Sequence, residues 1–325
     1  GCKALTKLAA DPAVLNSIVD NDGTAIVLSS IDSHPEDART QIEGCRFLSQ
    51  VAATRKSSIV AADGIPTVLA IMERQSSDAD AQMELHVLEI DSHRMGRHSS
   101  DTDPQIAACK LLATLSKHPE EDKDTIKVVA EMVGIPITLL MMERHSSNHE
   151  AIESGLLLLS RLATEKTNVK LFLETDCVRI VVSKMEEHSA SARIQSSGCL
   201  LLSRLVLRDV VATMQILVEN GVSTVVAAIR NHSSHFGLHK ICCSLLDLLA
   251  NDDETRTTIV AANGIPAILQ TLEQHSSRDQ LFEDGFKALC KMADADIGEC
   301  SQIAPPLVSW IQGWKSDGSL LPETL

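Results

Sequence analysis

Residues 64–75 read GIPTVLAIMERQ, residues 134–145 GIPITLLMMERH and residues 264–275 GIPAILQTLEQH. Gly23 to His34 and Gly221 to His232 keep the same Gly-to-His spacing, and Cys177 to His188 repeats it with Cys in place of Gly. A second signature, small-Cys-x-x-Leu-x-x-Leu-Ala, runs through the chain in register with the first. It reads GCKALTKLA at 1, GCRFLSQVA at 44, ACKLLATLS at 108, GLLLLSRLA at 155, GCLLLSRLV at 198, CCSLLDLLA at 242 and GFKALCKMA at 285. The last four starts lie 43, 44 and 43 residues apart and the first two 43 apart. That period belongs to two- and three-helix solenoid repeats and lies outside the ankyrin and tetratricopeptide range.

Each unit reads as helices. A short apolar segment such as SSIVAADG or TRTTIVAANG precedes each Gly, which is placed for the left-handed conformation that ends a helix. Pro66, Pro136 and Pro266 follow two residues on, in the first turn of a second helix, where the missing N–H is harmless. That helix ends at His or Gln. Ser147 with Glu150, Ser77 with Asp80 and Ser277 with Gln280 have capping-box spacing for a third helix. Leu at signature positions 5 and 8 forms its inward stripe. Nothing alternates with period two for long enough to build a sheet, so the fold class is all-α.

Short helix, Gly-Ile-Pro junction, second helix and a long third helix with this stripe resemble the armadillo repeat family, from residue 1 to about 303. The Gly-Ile-Pro junction after a short helix argues against two-helix HEAT repeats. The resemblance implies a right-handed superhelical α-solenoid of about seven repeats. The third is irregular: signature starts 44 and 108 lie 64 apart, and VLEIDSHRMGRH (87–98) looks like a second helix without its first. The opening at a third helix predicts an array (1–303) that begins mid-repeat, with further chain before it. Residues 304–325 read as a C-terminal capping helix and tail, since Ile303, Leu307, Trp310, Ile311 and Trp314 share one helical face.

Composition narrows the function. Against 44 Asp+Glu there are 29 Lys+Arg, a formal charge of −15, and that field repels phosphates at long range. No uncharged apolar run reaches membrane-spanning length. Cys2, Cys45, Cys109, Cys199 and Cys243 recur at one signature position, as small buried side chains spaced one repeat apart. Free buried thiols predict a reducing compartment, cytoplasmic or nuclear. His34, His145, His188, His232 and His275 end successive second helices, where an imidazole meets the last carbonyls. Neighbouring copies are too far apart to share a metal, so none is expected. No phosphate loop, GxSxG or HExxH occurs, so neither enzyme activity nor a cofactor is expected. Gly1-Cys2 imitates an acylation start but belongs to the repeat, and Leu5 stands where a myristoylation site has Ser or Thr.

The resemblance further implies that the third helices line a concave groove, with two positions four residues apart facing the ligand. In importin-α-like members these are Trp and Asn, for basic peptides. In beta-catenin-like members Lys and Arg are frequent and the ligand is acidic. Signature positions 3 and 7 here are Lys3/Lys7, Arg46/Gln50, Lys110/Thr114, Leu157/Arg161, Leu200/Arg204, Ser244/Leu248 and Lys287/Lys291. Eight of the fourteen are basic and none acidic, where average composition would put about one basic and about two acidic residues. The expectation is a protein-protein interaction scaffold whose basic groove takes an extended acidic or phosphorylated partner segment, with Leu157 and Leu200 beside it as apolar contacts. The alternative is a packing subunit of a large assembly. Nucleic acid ranks below both, since no aromatic stands ready to stack on bases.

Overall fold

The computed structural model describes residues 1–73, 104–118, 120–275 and 279–294. The truncated repeat read at 76–98, Ser77, Ser277 and the capping helix of 304–325 lie outside the described residues. Two compact units divide the chain, 1–175 and 176–325. Every described element is helical.

The first unit runs α1 (Cys2–Leu8), α2 (Pro12–Asp20), α3 (Gly23–Ser33), α4 (Ala38–Ala61), α5 (Gly64–Glu73), α6 (Pro104–Leu115), α7 (Lys123–Val129), α8 (Ile135–Arg144), α9 (His149–Leu162) and α10 (Val169–Leu173). The second holds α11 (Cys177–Glu187), α12 (Ala192–Val206), α13 (Val210–Val218), α14 (Gly221–Asn231), α15 (Phe236–Leu249), α16 (Asp253–Ala261), α17 (Gly264–Gln274) and α18 (Asp279–Asp294). Third helices pack on third helices: α1 on α4, α4 on α6 and α6 on α9 in the first unit, α12 on α15 and α15 on α18 in the second. This is an all-α solenoid.

Its core follows the stripe. Leu48 and Val51, Leu112 and Leu115, Leu159 and Leu162, Leu202 and Leu205, Leu246 and Leu249, and Leu289 and Met292 occupy positions 5 and 8, all buried. Cys45, Cys109, Cys199 and Cys243 are buried with them; Cys2 is half-buried. In α4 a third helix and the next first helix run together, because SQVAATRKSS offers no Pro, Gly or Asp cap between them. The join is a kink at Arg55 (φ −138°, ψ 46°), whose guanidinium reaches Asp20 at 2.7 Å.

The junction before the second helix departs from expectation. The left-handed residue is the one before the Gly: Asp22, Asp63, Asn220 and Asn263 have φ of 55–62°, a conformation Asn and Asp tolerate. The Gly itself begins the second helix and is required for space. A Cβ on Gly221 would stand 2.8 Å from Ile216 Cγ2, and one on Gly264 would stand 2.7 Å from the Ile259 carbonyl oxygen. At Gly134 the preceding residue is Val133, β-branched and ill-suited to positive φ. There a π-helical turn over Ala130–Gly134 makes the junction instead.

Caps also differ in detail. Asn148, not Ser147, caps α9, accepting from the Glu150 and Ala151 amides at 3.0 and 3.2 Å. Ser191 caps α12 and His235 caps α15. The repeated histidines do end the second helices, at His34, His145, His188, His232 and His275. His34 bonds a late carbonyl of its own helix by its ring, with Nδ1 2.9 Å from the Ser30 oxygen. The ring of His232 reaches back one repeat to the Ser189 oxygen at 2.8 Å.

Candidate protein-binding surface

In the first unit the ladder α1, α4, α6, α9 carries the sequence-derived positions side by side. Lys3 and Lys7 are exposed on α1 and make no ion pair among the described residues. Arg46 on α4 is half-exposed, its Nη1 3.0 Å from Glu43 Oε1 one turn back. Gln50 is partly buried, with its Oε1 unpartnered. Lys110 on α6 is half-exposed and pairs with Glu150 at the start of α9. The Thr114 hydroxyl turns back to the Lys110 carbonyl at 2.9 Å. Arg161 on α9 is committed elsewhere: its Nη1 donates to the Ala113 carbonyl in the last turn of α6. Burial lowers the pKa of that guanidinium, and Asp122 opposes the shift. It ties two helices together by satisfying a carbonyl that a helix end leaves open.

The second unit uses its cations internally. Arg204 on α12 is partly buried and already has a partner within the protein. Lys287 on α18 sits 2.5 Å from Glu283; that hydrogen bond raises its pKa. Lys291 bridges α18 to α15, donating to the Asp247 carbonyl at 2.8 Å and meeting the Asp247 carboxylate at 2.7 Å. Leu157 lies in the first unit and Leu200 in the second, each partly buried.

Four ladder cations are thus paired with carboxylates that the two-position count did not include. Glu43 and Glu283 fall just before the signature on the same helix, while Glu150 and Asp247 come from the neighbouring third helix. A pair whose cation is about half exposed is worth about 0.2–1 kcal/mol, so Glu43 and Glu150 reduce the positive field without locking Arg46 and Lys110 away. Among the described residues no three His, Cys, Asp or Glu side chains gather as a metal site.

Residues 130–252 match the family model described as the LRRK2 ARM repeat. Among solved structures, a designed armadillo repeat protein aligns at TM-score 0.63 and 13% identity, covering 82% of this chain and 99% of its own. The chain has the armadillo-repeat fold. A second designed armadillo protein, solved in complex with the peptide (KR)4, matches this armadillo fold at TM-score 0.61 and 12% identity, over 82% of this chain and 98% of its own. An engineered protein from a structural-genomics consortium aligns at TM-score 0.64 and 18% identity, over 84% and 97%. No curated protein matches the sequence. No single described helix of the armadillo array is long and apolar enough to cross a membrane.

Proposed function

We propose that this armadillo array is a non-enzymatic scaffold that binds an acidic or phosphorylated extended segment of a partner protein along the third helices of its first unit. The observation that carries the reading is a run of cations on successive ladder helices. Lys3 and Lys7 stand exposed without an ion pair among the described residues, and Arg46 and Lys110 follow with only exposed or partly exposed carboxylates beside them. A partner carboxylate or phosphate exchanges with Glu43 and Glu150 at small expense, and phosphate, with more acceptor oxygens, gains more from the exchange. Arg161, Arg204, Lys287 and Lys291 are left out of the contact set because they serve the protein's own packing or pairing. The designed neighbour holds a peptide of Lys and Arg; the free cations here favour the opposite charge.

The test is titration of a fluorescent Asp/Glu peptide, and of its phosphoserine counterpart, into the protein and into a Lys3→Glu/Lys7→Glu variant. The variant is expected to weaken binding about tenfold or more while keeping its melting temperature, and added salt is expected to weaken the wild type steeply. Equal affinities for the two proteins refute the reading. Arg161→Glu serves as the contrast: it is expected to lower stability, because it leaves the Ala113 carbonyl unpaired.

A further inference from the structure

The first helix of each repeat buries one face and offers the other to water. Counting back from the residue that opens the second helix, positions eleven, ten, seven and three before it are exposed in all six first-helix segments. In five of them none of the twenty residues is Val, Leu, Ile, Met or aromatic. Before Gly134 they are Lys123, Asp124, Lys127 and Glu131; before Gly264 they are Asp253, Glu254, Thr257 and Ala261. Before Gly221, on α13, they are Val210, Val211, Met214 and Val218. Val210 is 74% and Val218 78% exposed, and Leu207, just ahead of the helix, is 67% exposed. The core does not ask for these side chains: α13 packs inward through Ala212, Thr213 and Ile216. A contiguous apolar face that five sister segments lack is the mark of a contact site.

We propose that the outer face of α13 docks a partner helix that has an apolar stripe and Lys or Arg along one edge. The apolar half follows from the Val-Val-Met-Val face, read as helix against helix. The charged half follows from α16, which packs beside α13 and carries Asp253 and Glu254 at the positions equivalent to Val210 and Val211. Arg256 offsets Asp253 within α16, while Glu254 is exposed and makes no ion pair among the described residues. A helix that covers α13 and overhangs α16 therefore meets negative charge. A net charge of −15 disfavours both a second copy of the chain and an anionic lipid surface as the occupant.

The experiment compares a synthetic amphipathic helix of Leu and Lys with its Leu and Glu counterpart, on the full chain and on a variant carrying Val210→Asp, Val211→Glu, Met214→Thr and Val218→Ala. These replacements copy α16, so the fold is expected to keep its melting temperature. They also make the surface more acidic, so a loss of the Lys peptide cannot come from weakened charge attraction. The wild type is expected to bind the Leu/Lys helix roughly tenfold or more tightly than the variant does, and more tightly than it binds the Leu/Glu helix. The pair Met214→Thr/Val218→Ala, which adds no charge, is expected to weaken binding in the same direction. Equal binding to wild type and both variants overturns the proposal, as does indifference to the peptide's charge. It is likewise overturned if the wild type sediments as a dimer and the variant as a monomer, or if phosphatidylcholine–phosphatidylserine vesicles bind through this face while the peptide does not.

Discussion

Gln41, Gln105, Gln195 and His239 stand at one position, three residues before the start of a third-helix signature, and each sends a side-chain nitrogen to a main-chain carbonyl of a second helix. Gln41 Nε2 donates to the Ile31 and His34 oxygens at 2.8 Å each, Gln105 to Met72 at 2.5 Å, and Gln195 to Met185 at 2.7 Å. His239 Nε2 lies 3.2 Å from the Ile229 oxygen. A buried amide here closes carbonyls that the helix end leaves open, but the imidazole brings a titration with it. Burial, and then His275, whose ring centroid is 5.1 Å away, depress the pKa of His239 below its ordinary 6.5. The folded protein therefore takes up fewer protons than the unfolded chain. The stability this contributes is whole above about 6.5 and is lost as pH falls through the depressed value. His239→Gln, which restores the sister residue, is expected to flatten the fall of melting temperature between about pH 7 and pH 5; an unchanged slope would place the titration elsewhere. The Gln-x-x-small pattern was legible at 41, 105 and 195, yet a buried amide in a helix looks in sequence like any polar face.

Between first and second helices, the Asn263–Gly264 turn leaves no room for a Cβ on the Gly. Gly264→Ala is expected to cost about 1–3 kcal/mol by overpacking against Ile259, seen as a lower denaturation midpoint. Asn263→Gly, at the left-handed residue, is expected to leave the midpoint close to wild type; the opposite order of effects would return the conformational demand to the Gly. The Pro in the first turn and, from α4 onward, the buried stripe were legible from spacing. The division of labour between Asn263 and Gly264 was not, because the crowding comes from the Ile259 side chain and carbonyl, which only the folded turn brings close. The ladder met the same limit. Lys3, Lys7, Arg46 and Lys110 were legible as cations of one stripe, but Glu150 and Asp247 pair across helices 40 and 44 residues away in sequence. Charges counted along one helix leave such partners out.

At the scale of the whole molecule, most of the described cysteines are buried in the core of their own unit. Cys45, Cys109, Cys177 and Cys243 are buried, and desolvation pushes each thiol up to about 12. Cys199 and Cys242 face one another at 3.6 Å, also buried. Cys2 and Cys290 are half-buried. Alkylation of the native protein, followed by peptide mass spectrometry, is expected to modify Cys2 and Cys290 well before any of these six; rapid labelling of Cys243 would show that the third-helix stack opens readily. While that interior is held fixed repeat after repeat, the water-facing side of each first helix answers to no packing demand. Val210, Val211, Met214 and Val218, set against Asp253, Glu254, Thr257 and Ala261 on the exposed face of α16, illustrate what such freedom permits over generations. Asp to Val, Glu to Val, Thr to Met and Ala to Val are each reachable by one base change at the second codon position. Mutation alone can therefore raise or erase an adhesive face on any first helix, and the packing beneath stays as it was while its acquaintances change.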